Sequence, residues 1–171
     1  MTGTAIGIMV GFLICIIVFK FFNKDGKAGT KYDEMQERTR GKAYKYAFWC
    51  MTACEVVLCV LSSGNMQLPL DGISLHFSTI LVGVLVQVSY CIWKDAYIGL
   101  NTNTKRFVIV SIVIGLCNFV GAYGAIRSGS MIIDGKLQSP FVNLLCGILF
   151  VIVGAEIFIK YMVDQRETRE D

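Results

Sequence analysis

The 171-residue chain has one histidine, His76, and two prolines, Pro69 and Pro140. With a single histidine, the two-histidine sites of structural zinc are out of reach. Both prolines stand at the edges of apolar runs and break none of them. Charge is scarce, at 17% of residues against 54% apolar, with a mean hydropathy of +0.59. That balance is foreign to a soluble domain of this length. Catalytic signatures are missing as well. There is no glycine-rich phosphate loop, no paired-histidine helix motif and no serine elbow. Asp71, Asp95 and Asp134 are solitary acids of connecting segments, not a paired set. The expectation is a non-enzymatic protein with no metal, no cofactor and no nucleic-acid partner.

Cysteine is present seven times, at Cys15, Cys50, Cys54, Cys59, Cys91, Cys117 and Cys146, always inside an apolar run. A disulfide framework would place them in connecting loops. They read as small packing residues.

Long uncharged runs dominate, and a run of about 18 or more apolar residues fits the hydrocarbon core of a bilayer. They predict an all-α fold: a polytopic transmembrane helical bundle forming one membrane domain. Five spans are expected, at about residues 4–22, 44–62, 72–93, 107–126 and 140–162. The first lysine, Lys20, follows the first run instead of preceding it, unlike a secretory signal. Eight lysines and arginines fall between Lys20 and Lys45, three between Lys94 and Arg106, and three from Lys160 onward. The other connections carry only Arg127 and Lys136. The positive-inside rule then puts the N-terminus outside and the C-terminus in the cytoplasm. Tyr44, Tyr46, Trp49, Trp93, Tyr97 and Tyr161 gather toward the same basic side, as interfacial aromatics do. The tail from Val163 is charged and is expected to fray.

Within the spans, small and polar residues fall into stripes. Gly3, Gly7 and Gly11 repeat every fourth residue and suit close helix packing, within the chain or with another copy. His76, Thr79, Gly83, Gln87, Tyr90 and Lys94 share a face of the third span. Lys45, Thr52, Glu55, Cys59 and Ser62 share a face of the second, and Ser111, Gly115, Asn118, Ala122 and Ala125 one of the fourth. Polar groups in lipid need partners, so these faces are expected to point inward. Glu55 stands out near the middle of its span, where an ionised carboxylate is costly. Asn118 at similar depth and Gln87 about one turn away would complete an intramembrane polar cluster. Two readings stay open for it: a proton or cation site, or a packing hydrogen bond. His76 reads as an interfacial hydrogen-bonding residue, and Glu156 as a local partner of Lys160 four residues later.

Between the first two spans lies the longest polar segment. Thr30 to Asp33 reads as a capping box, and residues 32–42 as a short amphipathic helix weakened at Gly41. Glu34 and Arg38 are spaced for an i,i+4 pair. The core Tyr32-Asp33-Glu34-Met35-Gln36, followed by Arg40-Gly41-Lys42, resembles a juxtamembrane motif of uncharacterised small polytopic membrane proteins of Gram-positive bacteria. Met35 departs from the arginine usual there, and the motif covers about a tenth of the chain. The resemblance implies a bacterial cytoplasmic membrane protein and carries no catalytic residues with it. Tyr32, Asp33, Glu34, Gln36, Arg38, Arg40 and Lys42 are the expected contacts of this segment. They suit either anionic lipid headgroups or a docking surface for the other cytoplasmic loop or a partner. Two functions fit. One is an interaction, accessory or regulatory membrane protein, able to pair with a membrane-protein partner or with itself. The other is a small oligomeric transporter or channel with its polar site around Glu55.

Overall fold

The computed structural model describes residues 31–64, 66, 68–100 and 104–170, with the backbone alone at 106 and 167–170. The expected first span, with Gly3, Gly7 and Gly11, lies outside the described residues. Tyr32–Asp171 forms one compact unit.

Helix α1 runs Glu34–Ser63. Its cap is Asp33, whose carboxylate accepts from the Gln36 amide N–H at 2.6 Å while Gln36 Oε1 accepts from Asp33 N–H at 3.2 Å. The observed box joins Asp33 and Gln36; the expected one began at Thr30, which lies outside the described residues. Gly41 does not divide the helix either. A glycine costs a helix only about 1 kcal/mol, and Ala43 and Ala47 just beyond it are buried. One rod of roughly 45 Å results, longer than the hydrocarbon core of a bilayer.

Helix α2 covers Gly72–Trp93, capped by Asp71, which accepts from Ser74 N–H at 3.0 Å. It ends in a Schellman arrangement. Asp95 takes a left-handed φ of 55°, Ala96 N–H reaches Cys91 O at 2.8 Å, and Asp95 N–H reaches Ile92 O at 3.3 Å. Helix α3 covers Thr104–Arg127. Next comes a minimal hairpin, β1 Ile132–Ile133 and β2 Lys136–Leu137. Asp134 (φ 50°) and Gly135 (φ 73°) make its two-residue turn, the mirror-image geometry that fits the twist of paired strands. Leu137 is further bonded to the segment before α2, through Leu137 N–H to Pro69 O and Asp71 N–H to Leu137 O. Helix α4 runs Phe141–Glu170, so the charged tail continues the helix where fraying was expected.

Helix α1 packs on α2, α2 on α4, and α4 on α3. Among the described residues the four rods thus stand in the order α1, α2, α4, α3 as an open layer. Ile92, Leu149, Val153 and Ile157 form the seam between α2 and α4. Ala122, Ala125 and Met131 close the end near the hairpin. Each helix is long and apolar enough to cross a membrane. Val56, Val60, Ile109, Ile112, Val120 and Phe158 are among many large apolar side chains left on the surface, an arrangement suited to lipid and not to water. The described parts of the three lysine- and arginine-rich segments meet at one end, called the basic end below.

The α3 stripe faces inward: Ser111, Gly115, Ala122 and Ala125 are all buried. On α2, Thr79 and Gly83 are buried but His76 is exposed. The α1 stripe fails, since Cys59 and Ser62 are exposed and the buried residues are Ala43 and Ala47. An inward stripe presumes a helix enclosed by neighbours, and among the described helices α1 packs on α2 alone.

Candidate functional site

Two clusters of polar side chains stand out, one at the basic end and one within the α1–α2 hairpin. At the basic end, Tyr32, Gln36 and Arg40 recur every fourth residue and so share one face of the α1 lead-in. That face grips the loop after α2. Tyr32 donates its hydroxyl to Tyr97 O at 3.4 Å. Gln36 Nε2 donates to Asp95 O at 2.6 Å and to Ile98 O at 3.3 Å. Arg40 donates to Ala96 O at 3.4 Å, with its guanidinium 4.1 Å from the centre of the Tyr32 ring. The left-handed turn at Asp95 points these carbonyls away from α2, where side chains can reach them. Ala43, Cys91 and Ala96 pack beneath the clamp. Burial pushes the Tyr97 phenol up in pKa, keeping it protonated. On the opposite face, Glu34 and Arg38 form an exposed pair at 2.6 Å, and Met35 and Lys42 are exposed. Of the two roles open to the motif, contact with the other loop is therefore filled by Tyr32, Gln36 and Arg40.

Within the hairpin, Glu55 meets partners other than those expected. His76 Nδ1 lies 3.0 and 3.3 Å from its two carboxylate oxygens. Thr79 donates its hydroxyl to Glu55 Oε1 at 2.5 Å. Carboxylate, imidazole and hydroxyl together can hold and pass a proton. Asn118 instead bonds Ile114 O on its own helix at 2.9 Å. Its helix is separated from α1 by α2 and α4. Gln87 lies eight residues beyond Thr79, about 12 Å further along α2. The cluster of Glu55, Gln87 and Asn118 does not form. Helix order decides this, and depth along a helix does not reveal it. The partner was still open to arithmetic, since Glu55 precedes the end of α1 by eight residues and Thr79 follows the start of α2 by seven. In an antiparallel hairpin, equal distances from the turn place residues side by side.

Glu156 is corrected too. Lys160 turns to Asp95 at 3.1 Å and Asp164 at 2.7 Å, and Glu156 Oε2 is buried without a hydrogen-bond partner. Among the described residues no cluster of three or more metal-ligating side chains forms, and the six described cysteines are free thiols.

The fold and these sites define a class: a helical protein whose described residues include four apolar helices of membrane-spanning length. No protein-family model, curated protein or solved structure matches the chain.

Proposed function

We propose that this chain is a five-span protein of the bacterial cytoplasmic membrane, N-terminus outside and C-terminus inside. On this reading it works without catalysis, as an interaction, accessory or regulatory subunit. The observation that carries the reading is the Glu55–His76 pair. Glu55 lies about 12 Å and His76 about 6 Å from the ends of their helices nearest the connecting turn, on the outer helix pair of the described layer. The His76 side chain is 68% exposed and that of Glu55 38%. An ionisable pair facing lipid at that depth is unfavourable, and a covering protein surface with matching polar groups relieves it. The basic lead-in supplies a second contact zone. Arg38, Lys42 and Lys45 are exposed there and suit anionic headgroups, while Arg40 is taken up by the loop.

The reading is tested in native membranes with the double variant Glu55→Leu, His76→Leu. Extraction in mild detergent should yield the parent in a defined complex and the variant as a folded, free chain. A parent that runs as a free chain would overturn it. A small transporter or channel is the second reading, favoured by the proton-holding arrangement of Glu55, His76 and Thr79. It requires proton- or cation-coupled flux in liposomes that Glu55→Gln abolishes.

A further inference from the structure

Glu55 and His76 keep hydrogen-bonding capacity on the exposed side of the α1–α2 hairpin. An ionised carboxylate offers about four acceptor sites. Among the described residues, those of Glu55 meet only the Thr79 hydroxyl, at 2.5 Å, and His76 Nδ1, at 3.0 and 3.3 Å. His76 turns Nδ1 to that carboxylate, so Nε2 stands on the far side of the ring, with no hydrogen bond among the described residues. Both side chains keep exposed surface, within reach of a group from outside the chain.

The surround is apolar. On α1, Phe48 stands two turns before Glu55 on the same face and is exposed. On α2, Ile73 and Ile80 stand three residues before and four after His76, and both are exposed. Thr52, on the Glu55 face, donates its hydroxyl to Phe48 O on its own helix. The acid and the imidazole are thus the polar centre of an apolar face. Polar anchors ringed by apolar contacts that exclude water are how binding surfaces concentrate their energy.

Depth and charge identify the occupant. Glu55 and His76 touch, so within one chain they share a depth. A second copy inserted in the same orientation, related by a two-fold axis along the bilayer normal, brings the same pair to the same depth. Contacts across such an axis are reciprocal. Glu55 of each copy then faces His76 of the other. An imidazolium donates from both ring nitrogens, Nδ1–H to its own carboxylate and Nε2–H to that of the other copy. Two carboxylates and two imidazoliums close into a neutral ring, with each Thr79 hydroxyl donating into it. An unrelated helix would need polar groups matched to this depth by its own sequence.

We infer that a second copy of this chain docks on the face formed by Phe48, Glu55, Ile73, His76 and Ile80, and that cross-chain Glu55–His76 bonds complete the polar site. The inference rests on the subunit reading proposed above and names the partner in it.

The test uses the full chain carrying two tags of different mass, co-expressed, extracted from native membranes in mild detergent and weighed by native mass spectrometry. The parent should yield a two-copy species that carries both tags. Glu55→Leu alone and His76→Leu alone should each weaken self-association roughly ten-fold or more, the worth of an interhelical polar contact in lipid. Co-expressed, the two single variants should regain a two-copy species of mixed composition, because one copy still brings an imidazole and the other a carboxylate. That rescue also shows that both variants fold. Cys59→Trp, at an exposed position on the Glu55 face, should block pairing with its melting midpoint unchanged. Val82→Trp, exposed and about 240° around α2 from His76, should leave pairing intact. The inference is overturned if the single variants pair as the parent does, or if their mixture pairs no better than either alone. A parent isolated as one copy with a different protein overturns it and leaves the subunit reading standing. A parent isolated as a free chain overturns both.

Discussion

Gln36 serves two structures at once. Its backbone and side-chain oxygen complete the α1 cap with Asp33, and its side-chain nitrogen holds the loop after α2. A net contribution of about 1 kcal/mol for each bond is typical. Gln36→Ala is therefore expected to cost about 2 kcal/mol, seen as a lower melting midpoint in detergent, and to speed tryptic cleavage at Lys94 and Lys105. Arg38→Ala, which breaks only an exposed i,i+4 pair, should shift stability by less than about 0.5 kcal/mol. Single residues were partly legible in the sequence. Glu55 announces itself because a carboxylate is rare in an apolar run, and Arg38 and Glu34 by their spacing. His76, read as interfacial, lies one turn nearer the start of α2 than Thr79 and was open to the same hairpin arithmetic; what stays hidden is a neighbour on an element not joined by a short turn. The orphaned oxygen of Glu156 was hidden for the same reason: Asp95, which draws Lys160 away, lies on another segment.

At the level of elements, glycines separate surfaces that touch from surfaces that do not. A Cβ added at Gly147 would lie 2.8–3.0 Å from the Phe119 ring, so α3 and α4 approach closely there because the side chain is missing. A Cβ at Gly41 would meet nothing within 4 Å. Gly41→Ala should thus stabilise the chain by up to about 1 kcal/mol by favouring helix. Gly147→Ala should destabilise it by about 1–3 kcal/mol through overpacking. Thermal unfolding of the two variants in one detergent checks both, and equal shifts would refute the close approach. Helix ranges were largely readable. The α2 limits coincide with those read from sequence because Asp71 caps one end and the charge of Lys94 marks the other. The lengths of α1 and α4 were underestimated, since polar residues end a membrane run without ending a helix. The β1–β2 hairpin was missed, although Asp-Gly between Ile132-Ile133 and Lys136-Leu137 is a strong turn signal.

At the scale of the whole molecule, the order α1, α2, α4, α3 explains most of the differences between expectation and structure. A closed bundle would have brought Asn118 toward Glu55 and turned the α1 stripe inward. The layer formed by the described helices instead keeps Glu55 with His76 and Thr79 at its edge. Apolar run length and charge distribution are local properties and can be read from a chain. Which rods become neighbours is not, beyond those joined by short turns. The proposed subunit role follows from the exposed Glu55–His76 pair at that edge. Its most direct test is photocrosslinking in native membranes from a reactive residue placed at Thr52 or Cys59, which lie on the Glu55 face of α1. A control probe at Ile112 takes an exposed position on α3. The account predicts a discrete protein adduct from positions 52 and 59, lost in the Glu55→Leu, His76→Leu background, and lipid adducts alone from position 112. Lipid adducts alone from all three positions would contradict it.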